Sequence, residues 1–348
     1  MKIIIVGDGK VGHTLSQQLV QEGHDITVID NNSEILDTAM ESLDIIGIHG
    51  NGASVEVLKE AGVSTADLLI AATSADELNM LCCLTAKHLG VGKTIARVRN
   101  PEYRSQLQML QNEFGLSMVI NPELEAAREI SRVIKFPPAS RIDTFTRGQV
   151  ELVEYRIPEH SLLAGMKLLE LPSLSGTKVL ICAVERAGAV HIPNGGFVLR
   201  AGDRIHLTGQ GKEIARFLGH VDDVKFKIRT ILIVGGGRIA YYLCNMLEDK
   251  YFHIKIVEKN RERAEELCEL FPKVTVIHGD GADIELLEAE GLADTDAFIA
   301  LTNMDEENLV TSIMADQHDI PKIITKSGAS TTCPSWRTWA STRWSTPR

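Results

Sequence analysis

Apolar residues fall along this chain in short, nearly continuous runs separated by longer amphipathic stretches. KIIIV (2–6), ITVI (26–29), IIGI (45–48) and LLIAA (68–72) are such runs. They have the length and the lack of polar alternation of strands buried on both faces of a parallel sheet. The stretches between them, such as VGHTLSQQLVQEG and ASVEVLKEAG, carry helical periodicity. Strand alternating with helix predicts a doubly wound α/β sheet with right-handed crossovers.

The pattern occurs twice. KIIIVGDGKVGHTLSQQLVQEGHDITVID (2–30) aligns with TILIVGGGRIAYYLCNMLEDKYFHIKIVE (230–258), and 45–79 aligns with 274–308. Such self-similarity predicts two Rossmann-like doubly wound parallel sheets, over 1–121 and 229–326, separated by a small α+β module. Between them, PELEAAREISRVIKFPP (122–138) places Leu124, Ala127, Ile130, Val133 and Ile134 on one helical stripe, stopped by two prolines. That segment (122–140) reads as a crossover helix. The small module is expected over 141–220, with a hairpin signal at ERAGAVHIP and a turn at AGD entering an edge-type strand, RIHLTG.

The chemistry gathers where the first strand of each copy meets its helix. Gly7, Asp8, Gly9, Lys10, Val11 and Gly12 form a G-x-G-x-x-G turn, with Asp30 at the end of the second strand. In a dinucleotide fold the first glycine allows the turn, the second admits the pyrophosphate, and the third brings helix and strand together. The helix N-terminus attracts the anion, and the carboxylate accepts from ribose hydroxyls, which favours NAD(H) over its 2′-phosphorylated relative. A structural glycine turn is the alternative. Asp8, a carboxylate inside the turn, has to point away from any pyrophosphate.

The second copy reads Gly235, Gly236, Gly237, Arg238, Ile239 and Ala240, with Glu258 in the acidic place. It is either a second site or a degenerate copy kept for packing. HGNG, with Asn51 and Gly52, and HGDG, with Asp280 and Gly281, follow the third strands and suit either adenine-side contacts or simple turns. Thr73 and Ser74, and Thr302 and Asn303, end the fourth strands on the same crevice. Asp76 and Asp305 suit first-turn helix positions, where they complement the helix dipole. Arg97 ends the fifth strand as either a phosphate ligand or a solvated charge.

Composition narrows the function classes. The 348 residues are 44% apolar and 24% charged, with a net charge of −11, which is the wrong sign for a protein whose main task is holding nucleic acid. No apolar run reaches the ~18–20 residues that span a bilayer, and MKIIIVGDG starts directly as a strand rather than as a signal peptide. The expected location is therefore cytoplasmic. Six cysteines form no C-x-x-C, and eleven histidines show no ligand spacing, so reduced thiols and no metal site are expected. Three functions stand open: a nicotinamide-dependent oxidoreductase, a nucleotide sensor, and an assembly scaffold. An oxidoreductase needs an acid–base group beside the nicotinamide. The one Y-x-x-x-K, Tyr251 to Lys255, lies at the wrong point of the fold, and His160, His191 and His206 form no pairing.

IIIVGDGKVG with Asp30, HGNG, ATSADELN, IARVRNPEY and SLLAGMKLLEL…GAVHIPNGGFVLRAGDRIHLTG together resemble the cytosolic RCK/KTN-type regulatory domains of potassium transporters and channels. The tandem arrangement is similar to that of the regulatory subunits of Trk-type potassium uptake, over residues 1–326. The resemblance implies a non-catalytic regulatory subunit, peripheral on the inner face of the plasma membrane, that gates a membrane potassium-translocating subunit. It implies a homo-oligomer, dimer or ring, binding NAD(H) and also ATP or ADP in one crevice. Carried over by motif, Gly7 to Gly12 hold pyrophosphate, Asp30 the ribose, Asn51, Gly52, Thr73 and Ser74 the adenosine side, and Arg97 a phosphate. The second-copy counterparts are Gly235 to Ala240, Glu258, Asp280, Gly281, Thr302 and Asn303, with Lys326 where the first copy has Arg97. The helix at 122–138 resembles the family's dimer-forming crossover.

Residues 327–348 depart from the pattern. They hold all three tryptophans but no Val, Ile, Leu, Phe, Asp or Glu, and the repeat alignment ends at Lys326. A reading-frame change or cloning-derived end, giving a disordered tail and an incomplete second unit, is expected there.

Overall fold

The computed structural model describes residues 1–135, 139–145, 150–172, 176, 178–221, 228–247, 251–327 and 344–345. The chain divides into two compact units, Met1–Glu125 and Ala126–Arg348.

The first unit contains strands β1 (Lys2–Val6), β2 (Asp25–Asp30), β3 (Ile46–His49), β4 (Leu68–Ala71), β5 (Lys93–Arg97) and β6 (Met118–Ile120). They form one parallel sheet in the order β3-β2-β1-β4-β5-β6. Helices α1 (Lys10–Gln21), α2 (Ser33–Ser42), α3 (Val55–Glu60), α4 (Asp76–His88) and α5 (Leu107–Phe114) connect them. The continuous apolar runs serve two cores. Ile3 and Ile5 pack with Val28, Leu36 and Ile70, whereas Ile4 and Val6 pack with Leu58, Leu69 and Cys83. Period-two alternation along β1 thus feeds both faces of the sheet. The order reverses between β1 and β4, which opens a crevice at the carboxyl ends of the strands.

Helix α6 (Pro122–Lys135) buries Ala127, Ile130, Ser131 and Ile134, with Leu124 and Val133 half-buried. Its described span ends at Lys135, and positions 139 and 140, expected within it, belong to a strand; residues 136–138 lie outside the described residues.

In the second unit, β7 (Ala139–Phe145), β8 (Val150–Arg156), β9 (Val179–Arg186), β10 (Ala189–His191) and β11 (Arg204–Gly209) form an antiparallel sheet, followed by helix α7 (Gly211–Val221). The order β10-β9-β11-β8-β7 makes the sheet begin at 139 rather than 141. It also puts β11, expected at an edge, in the centre. Its polar Arg204, His206 and Thr208 alternate with buried Ile205 and Leu207, so one solvated face imitates the polarity of an edge. The β9–β10 hairpin turns through Ala187 (φ 51°) and Gly188 (φ 81°).

The repeat returns as β12 (Thr230–Val234), β13 (His253–Glu258), β14 (Thr275–His278), β15 (Ala297–Ala300), β16 (Lys322–Thr325) and β17 (Trp344–Ser345), parallel in the order β14-β13-β12-β15-β16-β17. Its helices are α8 (Arg238–Leu247), α9 (Arg261–Leu270), α10 (Ile284–Ala289) and α11 (Asp305–Gln317). The two-residue strand β17 pairs with Ile323 and Ile324. The remainder of the tail beyond Ser327, with Cys333, lies outside the described residues. Cys82 and Cys83 are buried, which pushes their thiols up to about 12 and keeps them protonated, while Cys268 is exposed. No helix among the described residues is long and apolar enough to cross a membrane.

Candidate functional site

In the first unit the candidate residues converge on the carboxyl edge of the sheet. Gly7 adopts φ +94°, and a Cβ there would meet the Thr73 backbone at 3.0 Å. A Cβ on Gly12 would lie 1.8 Å from the Gly7 carbonyl oxygen, because α1 is pressed onto the turn. Gly9 differs: a Cβ there would find no atom within 4 Å, so the space above it is open. Gly9 is also the N-cap of α1, with no side-chain cap and no acidic residue in the first turn. The helix therefore starts with unsatisfied N–H donors beside Lys10 and Val11, facing open space, an arrangement suited to an anion. Gly237 in the second copy is likewise open, and Gly235 has φ +99°. Ala240, at the third position, is fully buried at the start of α8, which Arg238 and Ile239 open.

The acidic residues have a structural role of their own. Asp30 Oδ2 accepts the Asp8 N–H (2.7 Å) and Oδ1 accepts the Asn32 N–H (2.9 Å). Glu258 repeats this with the N–H groups of Gly236 (2.6 Å) and Asn260 (2.7 Å). Each carboxylate thus braces the glycine turn against the next helix start, with lone pairs remaining for hydroxyl donors.

The loops after the third strands are closed turns. Gly52 and Gly281 lie against Val6 and Val234, where a Cβ would come within 2.1 Å of either valine. Exposed Asn51 accepts the Ala53 N–H, and Asp280 accepts that of Ala282. Asp280 also pairs with Lys259 at 2.6 Å, which holds its carboxyl below the usual range. Nothing in the repeat alignment singled out Lys259.

The structure adds a pair of residues that the motif reading passed over. Asn79 is fully buried, and its Oδ1 accepts from the N–H (2.8 Å) and hydroxyl (2.7 Å) of Thr73. Its Nδ2 donates to the carbonyls of Thr73 (3.3 Å) and Arg97 (2.9 Å). Asn308 does the same with Thr302 N–H (2.8 Å) and the carbonyls of Thr302 and Lys326 (both 3.1 Å). These asparagines tie the ends of the fourth and fifth strands together, and the alignment of ADELN with DEEN was the signal for them. Ser74 and Asn303 are exposed on the same edge. Asp76 does more than complement a helix dipole, since it accepts the N–H groups of Arg99 (2.8 Å) and Asn100 (2.7 Å).

Arg97, the expected phosphate ligand, is engaged. Its Nη2 lies 2.7 Å from Glu123 Oε1 at the start of α6, with the two side chains 13% and 18% exposed. Arg97 Nε and Glu123 Oε2 are buried without partners, so the pair is only half satisfied. A phosphate reaching Arg97 has to share it with Glu123 or displace it. Glu123→Gln is expected to leave the guanidinium under-compensated and to cost about 2 kcal/mol in urea denaturation. Lys326, the counterpart, donates to the Thr302 carbonyl at 3.0 Å, with Asn303 Oδ1 at 3.5 Å. Neither half of Tyr251-x-x-x-Lys255 joins a site: Tyr251 is exposed, and Lys255 donates to the Glu290 carbonyl.

Comparisons with known proteins bear on the family and the fold. The TrkA-N domain family matches residues 3–122 and again 231–335, and the TrkA-C domain family matches 152–220. This chain belongs to the TrkA family. The second TrkA-N match runs past Lys326, where the internal repeat ceased to align. The Trk system potassium uptake protein TrkA of Vibrio alginolyticus is 34% identical over 328 residues, covering 93% of this chain and 71% of that protein. The Halomonas elongata protein of that name is 35% identical, covering 93% and 72%, and a TrkA homologue from Archaeoglobus fulgidus is 34% identical, covering 90% and 71%. Among solved structures, the GsuK RCK domain matches with TM-score 0.72 at 18% identity, over 99% of this chain and 73% of that one. The GsuK channel bound to NAD matches with TM-score 0.69 at 19% identity, over 99% and 61%. These likenesses establish an RCK-type fold.

Proposed function

We propose that this chain is a nucleotide-sensing regulatory subunit of a Trk-type potassium-uptake system. It binds NAD(H), and ATP or ADP in the same crevice, and conveys the occupancy of the site to a membrane potassium-translocating subunit. The observation that carries this reading is the doubly built crevice: open space at Gly9 and Gly237, a helix start beside each, and a carboxylate at the end of the second strand of each copy that braces the glycine turn. The relatives named for Trk potassium uptake and the GsuK channel structures bound to NAD and to ADP support it. The subunit works as a homo-oligomer, dimer or ring, in the cytoplasm against the membrane face.

Regulation needs differential contact, because a ligand shifts an equilibrium only by what it gains in one state over the other. NADH brings a pyrophosphate between two riboses, whereas ATP adds charge at the end of its phosphate chain. The Arg97–Glu123 pair is where such a difference meets the start of α6. Small-angle scattering of the assembled protein with NADH and with ATP is expected to give distinct particle shapes. Indistinguishable shapes together with equal affinities would remove the sensor reading, and steady hydride transfer to a small carbonyl compound would replace it with an oxidoreductase.

A further inference from the structure

The first glycine turn holds a side chain for which nucleotide binding gives no use. Asp8 stands between Gly7 and Gly9, and its side chain is 1% exposed. Oδ2 lies 3.3 Å from His13 Nδ1 on α1, while Oδ1 is buried without a partner. Among the described residues, the titratable groups that bear on this carboxylate are His13 from α1 and Asp30 from β2.

The second copy supplies an internal contrast. It has Gly236 and Tyr241 where the first has Asp8 and His13. A Cβ on Gly236 would come within 2.5 Å of Leu267 and 3.0 Å of Glu258 Oε2. Counting from the equivalent acids Asp30 and Glu258, the place of Leu267 is taken in the first copy by Ala39, which is buried. The first copy therefore has a small residue where the second has a large one, and a buried carboxylate where the second has none.

An ionised carboxylate with one oxygen unsatisfied, beside a second carboxylate, is poorly solvated. Protonated, Asp8 can donate from Oδ2 to His13 Nδ1, leaving Oδ1 as a neutral carbonyl oxygen whose burial costs less. Burial raises the Asp8 carboxyl above its ordinary value and Asp30 adds to it, whereas a His13 ring that donates from Nδ1 opposes it; the ring that accepts at Nδ1 is the partner of the protonated acid. A pyrophosphate brought to the start of α1 adds negative potential next to the same turn and favours the proton further.

We propose that Asp8 and His13 form a proton-binding position, so that nucleotide binding at the first site takes up a proton from solvent while the second site binds without one. This rests on the nucleotide-binding reading of the first site. Its consequence is a site that responds to acidity and nucleotide together. Affinity rises as pH falls, with a slope approaching one decade per pH unit between the proton affinities of the free and occupied site, and flattens outside that window.

The test is calorimetric titration of the full chain with NADH in paired buffers of low and high ionisation enthalpy, stepping from about pH 5 to about pH 8 across the ordinary carboxyl and imidazole ranges. Wild type is compared with Asp8→Asn, which keeps the shape, and Asp8→Gly, which copies the second turn. Wild type is expected to take up as much as about one proton per first site on the acid side, and both variants to lose that uptake. Equal uptake in wild type and Asp8→Asn, or none in wild type, overturns the proposal alone. Absence of NADH binding in every buffer overturns it together with the nucleotide reading.

Discussion

Replacing Gly12 with alanine is expected to cost about 3 kcal/mol of stability and to abolish NADH binding at the first site. The added methyl would sit 1.8 Å from the Gly7 carbonyl oxygen and 2.9 Å from its carbon, both backbone atoms that no rotamer change can move aside. Relief requires α1 to withdraw from β1, and that withdrawal shifts the N–H donors at the start of α1, where the proposed nucleotide site lies. The second copy carries Ala240 at the same place, fully buried, so its turn has settled around the larger residue. Ala240→Gly is accordingly expected to be mild, about 1 kcal/mol, from backbone entropy near a helix start. Denaturant titration and NADH calorimetry on the two variants measure the asymmetry.

Asn79→Ala is expected to destabilise the first unit by a similar amount, about 3 kcal/mol, since it strands buried backbone groups of Thr73 and Arg97 together. The hydrogen exchange of the Thr73 amide, now bonded to Asn79 Oδ1, should accelerate strongly. Asn79→Asp tests the donor side. It keeps an acceptor for Thr73 but sets a carboxylate oxygen against the two carbonyls that Nδ2 now serves. Its cost should approach that of alanine, whereas a purely steric role for Asn79 would leave aspartate near wild type.

What could be read from the sequence follows from which interactions have a local signature. Strand runs such as KIIIV announce parallel burial because both faces need apolar residues, and the two copies reinforced each other. The glycine turn and Asp30 were legible because each part has a fixed sequence spacing. The bracing of the turn by Asp30, the grip of Asn79 and the Arg97–Glu123 pair were not. Apart from the Asn79 bonds to Thr73, six positions away, they join residues 18 to 26 positions apart through side-chain direction, which neither periodicity nor composition encodes. The central place of β11 escaped for a related reason, since alternation with one polar face looks alike at the edge and the centre of an antiparallel sheet. The inward turn of Asp8 was required by the anion expected above it, but its contact with His13 and the small Ala39 became visible only in three dimensions.

Nucleotide binding at the first site is measured by calorimetric titration of the full chain with NADH, wild type against Asp30→Ala, with folding of the variant checked by circular dichroism. If Asp30 holds the ribose and the glycine turn at a nucleotide site, the variant loses affinity at one site by at least about tenfold, the worth of a charge-assisted hydrogen bond. Binding at the Glu258 site should persist. A folded Asp30→Ala protein that binds NADH as tightly as wild type, at every site, would show that Asp30 holds no nucleotide.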